Sequence, residues 1–165
     1  MRTSSWLLLL LALAGAMPAR ASNCVSPPRP GIDWRRCLLE ARDFRGVDLT
    51  GAVLRDASLS RSDLRGAVLR DVVGYTSRFV AADLRDADLG GAELLRADMT
   101  RANLGKARLA GADLRRVRFF RADLRGADLT GARIDGADFL HAQLGGARWV
   151  DGKQICAAGS EGACR

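Results

Sequence analysis

From Leu39 to Trp149 every fifth residue belongs to one series, and 22 of its 23 positions hold a large apolar side chain. Gly74 is the exception. Two residues ahead of each lies a second series with 16 Ala, and no insertion shifts the phase. A helix needs apolar residues near every 3.6 positions, and a strand needs strict alternation. A period of five gives neither. It fits short extended segments with a bend in every repeat, coiled so that one small and one large side chain point inward. With aromatics at only 5%, the interior must be built from Leu and Ala, the small residue allowing close approach and the large one filling space across the axis. The other three residues of each repeat face water.

Runs such as Ala82-Asp83-Leu84-Arg85-Asp86 and Ala127-Asp128-Leu129-Thr130-Gly131 resemble the pentapeptide-repeat family, whose motif is A-(D/N)-L-x-x. The resemblance implies an all-β fold: a right-handed quadrilateral β-helix with four pentapeptides per coil. Residues 39–149 then make nearly six coils, a rod roughly 28 Å long at the spacing of hydrogen-bonded strands. Ile32 and Trp34 share the phase, so coiling is free to start earlier. Terminal coils of such a solenoid need caps. Residues 22–38, with a stiff Ser26–Gly31 stretch, and 150–165 read as those caps.

Met1–Ala21 reads as a secretory signal: Arg2, the apolar run Trp6–Ala16, then Ala19-Arg20-Ala21 as the site for cleavage after Ala21. A lipoprotein acylated at Cys24 is disfavoured, because Asn23 stands where a small residue belongs. The mature chain holds no other apolar run of membrane-spanning length, and a periplasmic or secreted location is expected. Export favours disulfides among Cys24, Cys37, Cys156 and Cys164. Four cysteines allow three connectivities. In the rod that the resemblance implies, the two ends lie too far apart to be bridged, which leaves Cys24 with Cys37 and Cys156 with Cys164.

Little in the chain suits catalysis or cofactor binding. It has one His and one Tyr, and its Asp residues recur as outward or turn positions. No metal, cofactor or catalytic residue is expected. His141 reads as an exposed polar residue. Val72–Thr76, with Gly74 in a large position beside Tyr75, implies either neighbours that fill the gap or a bulge.

The net charge is +7, from 24 Arg and 2 Lys against 19 acids, and +5 once Met1–Ala21 is removed. With twenty residues per coil, every fourth repeat stacks. One stack gathers Arg61, Arg78, Arg101, Arg118 and Arg121 with Val80, Phe120, Leu140 and His141, opposed by Glu40, Asp98 and Asp138. It is the candidate binding face for an acidic protein or an anionic envelope component. Nucleic acid is a weak fit, given the interleaved Asp. Some pentapeptide-repeat proteins are DNA mimics that bind DNA gyrase. Such mimicry needs dense negative charge and a cytoplasmic location, and this basic, exported chain meets neither requirement. The leading reading is therefore a non-enzymatic interaction scaffold, ahead of a gyrase-protection protein or an enzyme of unknown class.

Overall fold

The computed structural model describes residues 24–165; the expected export signal and its cleavage site lie outside the described residues. The periodic backbone begins at Asp33, in the phase of Ile32 and Trp34. Each pentapeptide makes one parallel bridge to the residue twenty positions on. Four columns result, which we number by order in the chain: the first side runs Asp33, Val53, Val73, Glu93, Asp113, Arg133, and the second Leu38, Ser58, Arg78, Asp98, Arg118, Asp138. The third starts at Asp43 and the fourth at Asp48. The bridges are single residues because a turn interrupts every repeat.

The repeat sequence explains that turn. The carbonyl of the large residue accepts the N–H three residues on, as Leu49 does from Ala52 at 2.9 Å. The residue two past the large one adopts a left-handed conformation, φ 51 being +65° at Gly51. This is a type II turn. The Asp or Asn before the large residue then accepts the N–H two positions on, as Asp48 Oδ1 does from Thr50 at 2.9 Å and Asp88 Oδ1 from Gly90 at 3.0 Å. That local bond explains why this outward position favours Asp and Asn. Between turns the backbone bonds to the coils on either side, for example Leu54 N–H to Val73 O and Val53 N–H to Ile32 O, both 2.8 Å. Every coil thus satisfies the backbone groups of its neighbours.

The interior is the two inward series. Leu39 through Leu129 and the Ala positions are almost all fully buried, with Phe79 and Phe119 among the largest core residues. At Gly74 the neighbours supply the filling. A Cβ there would lie 2.9 Å from Leu94 and 3.1 Å from the Ser77 hydroxyl, and the bridges Val53–Val73–Glu93 continue without a bulge. Tyr75 stays outside, under the Arg55 guanidinium at 5.0 Å and bonded to Glu93.

The two ends are closed differently. At the start, Trp34 and Phe44 pack at 5.4 Å, and a Cys24–Cys37 disulfide ties residues 24–30 to the first coil. The turn after Leu39 is completed by a side chain of the next coil: Ser62 Oγ donates to Leu39 O and accepts the Arg42 N–H. Arg42, in a small-residue position, accordingly points out. At the other end, residues 152–165 fold back antiparallel over the third and fourth sides, through Gln143–Glu161 and Arg148–Ile155, stapled by Cys156–Cys164. The cap leaves the last segments of the first and second sides uncovered. Ile134 and Phe139 are therefore only half-buried, and Leu140 is 56% exposed. Both disulfides have the expected pairing.

Candidate functional site

The four sides share a backbone but differ in how their charges are settled. On the third side Asp43, Asp63, Asp83 and Asp123 each grip the arginine two residues on, with N–O distances of 2.5–2.6 Å. The arginine donates two charge-assisted bonds, so the carboxylates lie below the usual range, Asp43 at about 2. Arg45 and Arg65 also reach the Asp of the following coil at 3.7 and 3.8 Å. The ladder lapses where Asn103 and Gly105 replace the pair, leaving a notch of about 450 Å³ between Arg85 and Arg125, and again at Gln143 and Gly145 under the cap. On the fourth side Asp88 is nearly buried. Burial pushes its carboxyl up, but the Gly90 N–H, Arg108 at 3.0 Å and Arg70 at 3.4 Å outweigh that and hold it low.

The second side is different. It brings together every residue of the predicted binding face: Arg61, Arg78, Val80, Arg101, Arg118, Phe120, Arg121 and Leu140 all project from it or from its corners. They are not equivalent. Glu40 accepts from Arg61 at 2.9 Å, and that carboxylate is held low first by the Ser58 hydroxyl. Asp98 lies 3.4 Å from Arg118. Among the described residues Arg78, Arg101 and Arg121 enter no ion pair; Arg121 instead lies over the Phe120 ring at 5.1 Å. His141 packs its edge on Phe120 and bonds Glu161 at 2.8 Å, the partner that the sequence reading missed.

Two further arginines complete the patch. Arg96 and Arg116 occupy the corner between the first and second sides and also enter no ion pair among the described residues. With Arg118, Asp98 and Asp138 they line a groove of about 450 Å³. They went unassigned because each belongs to the repeat that precedes the second side. Their spacing of twenty residues was the available signal. Corner Arg96 stands one repeat before Arg101, and Arg116 one repeat before Arg121. The second side is thus framed at two successive coil levels by arginine on both corners, with Thr100 and Phe120 between.

Corner positions cost energy to occupy with anything but glycine. All are left-handed, which places a Cβ against the carbonyl and costs about 1–2 kcal/mol for a non-glycine residue. The corners flanking the fourth side are mostly glycine, as at Gly51, Gly91, Gly111 and Gly131. The corners flanking the second side hold 11 of the 14 non-glycine left-handed residues, including all six arginines found in that conformation. Strain is concentrated where the unpaired cations stand.

Among the described residues no three His, Cys, Asp or Glu side chains group to hold a metal. Nor is any helix there long and apolar enough to cross a membrane.

Compared with known families, residues 35–71, 77–116 and 112–148 match pentapeptide repeats, in eight copies. The chain belongs to the pentapeptide-repeat family. Solved relatives include HetL, a pentapeptide-repeat protein involved in heterocyst differentiation regulation from the cyanobacterium Nostoc, at 31% identity. That match covers 74% of this chain and 70% of HetL, with a TM-score of 0.36. QnrB1, a plasmid-mediated fluoroquinolone resistance protein, is 20% identical over 74% of this chain and 68% of its own, with a TM-score of 0.44. A thylakoid-lumen pentapeptide-repeat protein of Arabidopsis thaliana is 22% identical over 74% and 83%, with a TM-score of 0.36. No curated protein matches this pentapeptide-repeat chain.

Proposed function

We propose that this protein is a non-enzymatic interaction scaffold, a right-handed quadrilateral β-helix of nearly six coils that is exported to the periplasm or beyond. It binds an anionic partner through its second side. The observation that carries this reading is the frame of Arg96, Arg101, Arg116 and Arg121, unpaired and held in a backbone conformation that disfavours arginine. An arginine kept only for solubility needs no strained position. The side also concentrates positive charge, since Arg118 stands inside the frame and Arg78 one coil before it, with Asp98 and Asp138 as the nearby acids. A DNA-mimic role would require the opposite sign of charge.

The test compares two double reversals that change net charge equally, Arg101→Glu with Arg121→Glu and Arg70→Glu with Arg108→Glu. Retention on a sulfonate matrix is measured as the salt needed for elution. The corner pair is expected to lower it much more than the fourth-side pair, whose arginines are already engaged by Asp88. Equal reductions would mean that net charge alone governs retention and that no binding face exists.

A further inference from the structure

The form of the arginine frame specifies the partner further, resting on the reading that the second side binds an anion. We infer that the second side is a plate that lies on an anionic lipid surface.

Each corner row carries only two arginines in succession. Arg96 and Arg116 are bounded by Thr76 and Gly136, and Arg101 and Arg121 by Ala81 and His141. Each row can engage only a short stretch of a linear polyanion, over two coils of the rod. The two rows stand at the same coil levels on opposite edges of one flat side, a two-dimensional array suited to several headgroups in a plane. Between the edges the bridge row Ser58, Arg78, Asp98, Arg118, Asp138 runs beside a second row, which is Glu40, the buried Ser60, Val80, Thr100, Phe120 and Leu140. This second row becomes more apolar toward the uncapped end, where Leu140 is 56% exposed and Phe120 is held upright by Arg121 on one side and His141 on the other. An apolar strip at one end of a side, flanked by arginine on the edges and on the neighbouring row, is an arrangement that settles at a headgroup boundary, the apolar side chains entering it while the long arginine stems reach out to phosphate. An acidic protein would need an apolar pocket placed to receive Phe120 and Leu140 together, whereas a headgroup boundary takes them without one. Arginine also suits phosphate better than lysine does, because its planar fork bonds two oxygens at once.

The experiment uses the full chain, expressed with its own leader in an oxidising compartment, so that all variants share one N-terminus and differ only at the plate. Sedimentation is measured with vesicles of equal phosphatidylglycerol and phosphatidylcholine and with phosphatidylcholine alone. Soluble polyphosphate binding is measured in parallel. The wild type should sediment with the mixed vesicles and not with the neutral ones. Arg101→Gln with Arg121→Gln should weaken that partition about thirtyfold, from roughly fivefold per charge near an anionic leaflet. Leu140→Ser should weaken it at least about threefold while leaving polyphosphate binding and Tm unchanged. If polyphosphate binding persists while the mixed vesicles are ignored, or if Leu140→Ser has no effect on them, the lipid assignment falls and the anion-binding side stands. If neither probe is bound, both fall.

Discussion

On the third side Asp43, Asp63, Asp83 and Asp123 neutralise the arginines beside them, and the corner it shares with the fourth side carries Gly46, Gly66, Gly126 and Gly146, while its other corner is the one it shares with the second side. On the second side Arg61 and Arg118 are paired with Glu40 and Asp98, but Arg96, Arg101, Arg116 and Arg121 enter no ion pair among the described residues and stand on corners from which glycine is nearly absent. Backbone, period and interior are common to both. The difference lies in three outward residues per repeat, and it teaches that the solenoid separates two tasks. Its inward pair and its Asx-bonded turns make the rod, so the outward positions are free either to secure the rod or to present charge. The third side does the first and the second side does the second.

The largest perturbation is one that both sides share. Leu104 is fully buried between coils, and Leu104→Asp places an unpaired carboxylate there. It is expected to abolish cooperative folding, read as loss of the thermal transition by circular dichroism. Arg85→Asp on the outside should leave that transition in place. Equal stability of the two variants would break the inward phase on which the comparison depends.

Next in size is the fourth side, which resembles the third in spending its arginines on stability. Asp88→Ala removes the acceptor of Arg70, Arg108 and the Gly90 N–H, and should cost about 1–3 kcal/mol by denaturant unfolding. Retention on the sulfonate matrix should not fall. A loss of retention would place the anion site on the wrong side of the rod.

The smallest effect is a pH dependence that belongs to the laddered arginines. Asp43, Asp63, Asp83 and Asp123 have folded pKa values below the unfolded carboxylate range, so the unfolded chain binds more protons in acid. Their contribution is complete above about pH 4 to 5 and is lost as pH falls toward 2. Tm should therefore be level from pH 7 to 5 and then decline. The decline should be shallower in Asp43→Asn with Asp63→Asn. An unchanged acid limb in that variant would show that the ladder does not contribute to stability.

Much of this was legible before any coordinates, for a physical reason. The five-residue period marked the interior by counting, and the four-repeat coil that the family resemblance implies added the stacking of Arg78 over Ser58 and, through the length of the rod, the disulfide pairing. Pairings between coils did not. Glu40 captures Arg61 across 21 residues, and Glu161 reaches His141 across the capping fold-back, where the period no longer applies. Arg96 and Arg116 were passed over because sorting by pentapeptide assigns a corner to the side it leaves rather than the side it borders. The fate of Gly74 depended on rotamers of Leu94 and Ser77 that sequence does not specify.

The central claim is that the second-side corners carry arginine for binding and at a cost to the backbone. It is tested most directly by the double variant Arg101→Gly with Arg121→Gly, followed in one preparation by Tm and by salt-dependent anion binding. Glycine relieves the left-handed strain, by up to about 1 kcal/mol per site once its greater unfolded-state entropy is set against it. The account predicts a Tm equal to or above that of the wild type together with at least about a tenfold loss of binding. A lower Tm with binding intact would contradict it, by showing that these arginines hold the rod together rather than present it to a partner.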